Sequence, residues 1–413
     1  MLKFNRKCLS DLIYIQLNLD EVFKDASLYR EVQRNIIKKA LLFQLSNNKN
    51  YKDYYDSFGL KEITEKNFNI SLIPLLPSSL FKHKYLKLNS VNEEEIIKYC
   101  TSSGTQGSVS VVPRDEVTLT NFLGSVTSTI SCLLALERTG NHKAFILGPT
   151  PEESGDLWFS YVISSMALNF MTEYFEHNDN FDIANAALKI EEADKHNIEV
   201  IIIGPPFRII ELCKYLNRMK FSISLKGNSY IISAGGWKDK QDEVISRKEY
   251  MNIVKNTFKL NSFFIRDSYN MVELNTVISE CEYHEKHVLP WVEVLVRDPK
   301  TNNSLGDDKL GILSFYDGSS LSYPCFILSE DYGITNSGKC ECGRFGKRLK
   351  IVKRMERIES RGCALKMAFI EKKLKNSNAS NRFYKSYFRC PDLYLEELKH
   401  NGKEYLMRRC NAY

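Results

Sequence analysis

Between Lys143 and Phe258 short apolar runs alternate with longer amphipathic ones, and this alternation limits the fold more than any other feature of the chain. Lys143–Leu147, Glu199–Ile203 and Tyr230–Ser233 read as strands, and Phe181–Ala193, Ile209–Leu216 and Glu243–Phe258 carry apolar residues at helical spacing. Just upstream, Val109–Val112 reads as a short strand and Val117–Leu136 as a helix. Parallel strands need a crossover between them, normally a helix, so the order predicts an α/β fold around a largely parallel sheet. After Pro290 the character changes. Trp291–Arg297, Leu310–Phe315 and Pro324–Leu328 are strand-like and separated by turn residues, which predicts a β-rich subdomain over about 281–345. Ahead of the alternation, Asp20 to Leu45 shows helical spacing, while Ile73–Lys82, with two prolines, reads as an extended segment. Beyond Lys353 the chain is basic, giving an expected division into a large unit over 1–352 and a small C-terminal unit over 353–413.

Composition narrows the class of protein. A chain of 413 residues, 43% hydrophobic, buries a sizeable core without staples. The net charge of +6 is a weak bias at this length and gives no ground for nucleic-acid binding. The basic stretch Arg344–Lys375 lacks a nucleic-acid motif and reads as a solvated face or a partner surface. Eleven cysteines, an odd and scattered set, do not read as a disulfide framework, so a reducing cytoplasm with free thiols is expected. The N-terminal residues soon turn polar and acidic and lack the apolar stretch of a secretory signal, and no run approaches the ~20 apolar residues of a membrane span.

The densest motif is Thr101-Ser102-Ser103-Gly104-Thr105-Gln106-Gly107-Ser108, placed just before a strand. Glycines allow a tight turn that presents N–H groups to an anion, and Ser and Thr add hydroxyl donors, so the composition suits a phosphate cradle. It is neither a Walker loop nor a dinucleotide-binding Gly-x-Gly-x-x-Gly. A flexible surface turn is the bland alternative.

Ser102-Ser103-Gly104-Thr105-x-Gly107 resembles the phosphate loop of adenylate-forming enzymes, a group that includes acyl-CoA synthetases, phenylacetate–CoA ligases and acyl-protein synthetases. Further elements follow in the family's order: Gly235-Gly236-Trp237-Lys238 after a strand, Tyr269-Asn270-Met271-Val272-Glu273, Glu330-Asp331-Tyr332-Gly333, and Lys353-Arg354. Ile73-Pro74 to Phe81-Lys82, the Gly-Gly-Trp-Lys run and Arg361-Gly362-Cys363 most resemble the acyl-protein synthetase of bacterial luminescence, the LuxE family. The resemblance implies an α/β adenylate-forming fold with a mobile C-terminal domain. It implies ATP and Mg²⁺ as cofactors, with Glu273 on the Mg²⁺, Asp331 on the ribose hydroxyls, Gly235, Gly236, Trp237 and Tyr269 about the nucleotide, and Arg354 as hinge cation. The lysine that usually follows the glycine loop is missing, and Ser110 and Arg114 are polar candidates for part of its role.

Adenylation needs little proton transfer; it needs reactants positioned and phosphate charge neutralised, which this residue set suits. The second step needs a nucleophile. Cys363 follows Arg354, Arg357 and Arg361, whose charge favours thiolate, with Cys390 and Cys410 as rivals. The family implies an acyl-accepting cysteine that delivers to a reductase partner, with long-chain fatty acid as substrate. A CoA ligase and a noncatalytic partner-binding relative are the alternatives.

Cys281, His287, Cys340 and Cys342 form a second pattern, with His284 competing for the histidine place. Three thiolates and one imidazole suit tetrahedral zinc, and four protein ligands leave no open position, so the expected role is structural. Relatives in the phenylacetate–CoA ligase branch carry a similar arrangement. Trp158, Phe159 and Tyr161 read as core aromatics, with an acyl channel as the alternative.

Overall fold

The computed structural model describes residues 7–60, 67–82, 88–103, 109–134, 142–168, 170–178, 180–225, 227–237 and 244–354. A seven-stranded sheet orders its strands as Ile278–Ser279, Ile265–Tyr269, Tyr230–Ala234, Val200–Gly204, Lys143–Pro149, Met171–His177 and Asn180–Phe181. The five central strands are parallel and the two short edge strands antiparallel. Val200–Gly204 and Tyr230–Ala234 are buried at every position, as strands covered on both faces must be. One face is covered by helices Ile183–Lys195, Pro206–Arg218 and Arg247–Phe258, through Ile190, Ile209, Leu216, Val254 and Phe258. Helices Glu116–Cys132 and Trp158–Met166 cover the other through Phe122, Val126 and Ile163.

A second sheet is antiparallel in the order Lys286–His287, Lys347–Arg354, Phe326–Ser337, Gly311–Asp317 and Val292–Arg297, with Leu76–Pro77 added parallel to Phe326–Ser337. The long helix Ala26–Asn47 lies against it. The Asp25 carboxylate starts this helix by accepting from the Ser27 and Leu28 amides at 2.7 and 3.1 Å. Its buried face carries Ile36, Ile37 and Leu41, and its polar side chains donate to buried carbonyls: Tyr29 to Val288 at 2.9 Å, Gln33 to Val292 at 2.6 Å and Gln44 to Tyr323 at 3.2 Å. Among the described residues no helix is long and apolar enough to cross a membrane.

Several boundaries depart from the sequence expectation. The helix expected from Asp20 to Leu45 is two helices, Leu19–Lys24 and Ala26–Asn47, because Asp25 is extended and caps the second. Ile73–Lys82 ends in a 3₁₀ turn, Ser78–Lys82. Trp158–Met166 and Met171–His177 were not expected. The helix is only nine residues long and mostly buried, and a short apolar run of that length does not distinguish helix from strand. The strand expected to end at Leu328 runs on to Ser337 and carries Asp331, and Lys347–Arg354 crosses the expected division at 352.

Candidate active site and thiol cluster

Two parallel strands bring separate motifs to one end of the sheet. Tyr230–Ala234 runs into Gly235 and Ile265–Tyr269 ends at Tyr269, and the register sets Ala234 beside Ser268. Gly235 has φ +76°, and a β-carbon there would stand 2.8 Å from the Phe159 ring, so the turn requires glycine twice over. From the second sheet, Asp331 approaches the same place: the Tyr269 hydroxyl donates to Asp331 Oδ2 at 2.7 Å. Arg354 stands opposite Asp331 across the antiparallel pair. Such carboxyl ends of parallel strands are where open α/β sheets bind ligands.

Glu273 lies in the loop that follows Tyr269 and is 5% exposed. Its main-chain oxygen accepts from the Tyr323 hydroxyl at 3.0 Å and the Cys325 thiol at 3.1 Å. Burial pushes its carboxyl above the ordinary carboxylate range, against the opposing pull of the Ser110 hydroxyl, Arg354 and Lys82. Burial likewise raises Asp331, opposed by Arg354 and by the Tyr269 hydrogen bond. Ser110 joins this site to the glycine loop. In the hairpin of Ile96–Thr101 and Val111–Asp115, the Ser102 amide donates to Ser110 O at 3.1 Å and the Ser110 amide to Ser102 Oγ at 3.0 Å. The Thr101 amide donates to Asp156 O at 2.7 Å, and Ser103 lies in the connection between the two strands. Gly104, Thr105 and Gly107 lie outside the described residues, as do Lys238, Cys363, Cys390 and Cys410. Gly236 and Trp237 follow Gly235, with Trp237 packed on the outer core.

Two readings of the sequence change here. Arg114 supports the protein's own backbone. It is fully buried, stacks 3.5 Å from the Trp158 ring, and donates to Val272 O at 2.7 Å, Leu274 O at 3.1 Å and Asn275 Oδ1 at 3.2 Å, so it builds the loop that carries Glu273. Trp158 in turn donates to Asn270 Oδ1 at 2.6 Å, which fits the core reading of that aromatic group. Lys82 is the residue that sequence reasoning missed. It lies 3.5 Å from Glu330 Oε1, while Arg354 lies 3.4 Å from Glu330 Oε2, so two cations flank the carboxylates. Its one signal was to be the sole charge in the apolar Ile73–Lys82 stretch.

The ligand atoms of Cys281, His287, Cys340 and Cys342 all lie within 4.8 Å of one another. Cys281 Sγ and Cys340 Sγ are 3.9 Å apart, and Cys342 Sγ and His287 Nε2 are 3.3 Å apart. The edges of a tetrahedral zinc site with these donors are about 3.8 Å for S–S and about 3.5 Å for S–N, so the residues fit the metal. Burial pushes the Cys281 thiol up to about 12 and the His287 imidazole down to about 3, neutral groups in the protein alone. His284 stands instead on Glu280, 3.6 Å away, and Arg344, paired with Glu282 at 2.9 Å, lies against Cys342. Cys100, Cys132, Cys213, Cys281, Cys325, Cys340 and Cys342 are free thiols.

A parallel sheet joined to an antiparallel one, with this site between them, is the architecture of adenylate-forming enzymes. The chain superposes on crystal structures of 2-hydroxyisobutyryl-CoA ligase. The complex with 2-HIB-AMP and CoA in the thioesterification state gives a TM-score of 0.63 at 13% identity, covering 81% of this chain and 69% of that one. The open conformation gives 0.59 at 12% identity, covering 80% and 69%. Sequence narrows the class: the family of acyl-protein synthetases, LuxE, matches residues 15–372, and the chain belongs to that family. It is therefore an acyl-activating ligase. A long-chain-fatty-acid–luciferin-component ligase of Aliivibrio fischeri is 32% identical over 375 residues, covering 89% of this chain and 96% of the relative. One of Vibrio harveyi is 32% identical over 345 residues, covering 82% and 88%.

Proposed function

We propose that this enzyme condenses a long-chain fatty acid with ATP and passes the acyl group to its own Cys363 thiol. The observation that carries the reading is the convergence of Ser110, Tyr269, Glu273, Asp331 and Arg354, from four separate segments, at the carboxyl end of the parallel sheet. The fatty acid is supported by the names of the 32% identical relatives.

In the first step a carboxylate oxygen attacks the α-phosphorus of ATP, the bond to the β-phosphate oxygen breaks, and acyl-adenylate and pyrophosphate result. The residues hold and orient. Thr101, Ser102, Ser103, Gly104, Thr105 and Gly107 cradle phosphate; Gly235, Gly236, Trp237 and Tyr269 bound the base; and Asp331 accepts from the ribose hydroxyls in place of the Tyr269 hydroxyl. Lys82 and Arg354 place positive charge where phosphate charge gathers. Glu273, an oxygen donor beside the Ser110 hydroxyl, fits Mg²⁺, which supplies charge neutralisation at the phosphates when bound. In the second step the thiolate of Cys363 attacks the acyl carbonyl and AMP leaves. The thioester is then handed to a reductase or acyltransferase protein. The free thiols suit a reducing cytoplasm for this chemistry. Cys281, His287, Cys340 and Cys342 would hold zinc, which would brace the second sheet, and these residues take no part in either step.

Pyrophosphate exchange into ATP, screened across fatty, aromatic and amino acids with and without CoA, tests this. Exchange should depend on a long-chain fatty acid and not on CoA. Glu273→Ala and Asp331→Ala should each lose most of it, about a hundredfold or more. Full exchange in both variants would remove the assigned site.

A further inference from the structure

The turn from Cys281 to His287 carries a lysine that its neighbouring thiols do not use. Lys286 and His287 form a two-residue strand, so their side chains leave opposite faces. His287 faces the cysteines, whereas Lys286 Nζ lies 2.7 Å from Asp267 Oδ2 and 3.3 Å from Glu280 Oε1, with 13% of its side chain exposed. Asp267 is a member of the strand that ends at Tyr269, and its Oδ1 accepts from Ser233 Oγ at 2.5 Å. Ser233 also donates to Arg266 O at 3.2 Å and stands two residues before Gly235. Glu280 closes the group: Arg247 Nη2 reaches it at 2.6 Å, and its amide donates to Asp267 O at 3.0 Å. Lys286 and Arg247 thus balance Asp267 and Glu280, and His284 flanks Glu280 at 3.6 Å. One ammonium group therefore ties the thiol-bearing turn to both strands that deliver the nucleotide elements, two residues upstream of Gly235 on one and of Tyr269 on the other.

We propose that Lys286 is a positioning residue for the nucleotide: through Asp267 and Ser233 it pins the ends of the two strands, so that the Gly235 turn and Tyr269 hold the spacing that ATP requires. The proposal rests on the adenylation reading and adds to it a dependence of ATP binding on the thiol-bearing turn. A mere stability bridge would be indifferent to which substrate is weakened. A pin under the base- and ribose-contacting elements acts on ATP and leaves the acid alone.

The test is pyrophosphate exchange by the full chain, with ATP and fatty acid varied separately. Removing Lys286 alone strands the Asp267 charge, so the main variant is Asp267→Asn/Lys286→Met, which removes both charges at similar volume. It should melt close to the wild type, raise the KM for ATP about tenfold, and leave the KM for the acid and kcat within about twofold. Lys286→Arg, which keeps a cation on Asp267, should restore most of the ATP affinity. An unchanged KM for ATP, or a parallel rise for ATP and acid, overturns the pin. A wild type that exchanges pyrophosphate with no acid overturns the adenylation reading itself, so the two failures are distinct.

Discussion

At the scale of single residues, the Glu273 carboxyl is held above the ordinary carboxylate range. Burial raises it and Ser110, Arg354 and Lys82 only partly offset that. For an acid raised on folding, the stabilisation belongs to the protonated state: it is full below the unfolded value and is lost as pH rises through the folded value. Glu273→Gln, neutral throughout, should therefore gain stability relative to wild type as pH is raised from the ordinary carboxyl value of about 4.5 toward neutrality, followed by denaturant unfolding of the ligand-free protein. A stability difference that stays constant over that range would show that the carboxyl titrates normally. With Mg²⁺ and ATP added, wild type should gain stability and Glu273→Gln should gain little, because the amide replaces the oxyanion that a hard cation prefers. Glu273 was singled out by the resemblance of Tyr269-Asn270-Met271-Val272-Glu273 to a family element, not by anything its own spacing showed. The sequence could not show Arg114, whose guanidinium is 158 residues in sequence from the Val272 carbonyl it supports, nor Lys82, 248 residues from Glu330. Those roles depend on which way a side chain turns, inward for Arg114 and toward the site for Lys82.

Among the elements, the thiol cluster is where local spacing and sheet register meet. Cys281 to His287 and Cys340-x-Cys342 are each compact in sequence, so both halves could be read in advance. The register that joins them, His287 opposite Arg348 in the antiparallel pair, could not. Phe23 and the Phe345 amide bring the N-terminal helices into the same place: the Phe23 ring meets the His287 ring edge-on at 5.6 Å, and Phe345 N donates to Phe23 O at 2.7 Å. Metal bound there braces a sheet edge and the helix that packs on it. Protein purified without chelator should carry about one zinc per chain by elemental analysis. Cys340→Ser or Cys342→Ser should lower Tm by roughly 5 °C or more, because a structural site contributes folding free energy. Metal-free protein of equal stability would make the four residues mere neighbours. The α/β alternation was legible for a similar reason, since each strand and helix carries its own period. Trp158–Met166 escaped because nine mostly buried residues are too few to set a helix apart from a strand by pattern.

For the whole molecule, what remains is where the activated acyl group goes. An acyl-adenylate reacts with whichever nucleophile is held nearest its carbonyl, so the acceptor is decided by chain geometry as much as by chemistry. Arg354 is opposite Asp331 at the end of the second sheet, and Cys363 is nine residues further along the chain. Nine residues span at most ~30 Å, which puts the thiol within reach of the site from that anchor. A thiol has a second advantage: it attacks as thiolate beside cations, here Arg354, Arg357 and Arg361, and leaves again readily from a thioester. Incubation with ATP and labelled fatty acid should therefore label the chain covalently, and neutral hydroxylamine should release the label. Cys363→Ser should abolish labelling while leaving pyrophosphate exchange largely intact, since the first half-reaction does not need the thiol. Loss of label with Cys390→Ser or Cys410→Ser instead would move the acceptor along the chain and keep the two-step chemistry. An unlabelled chain with CoA thioester accumulating would replace the protein acceptor by CoA, since both acceptors draw on the same adenylate.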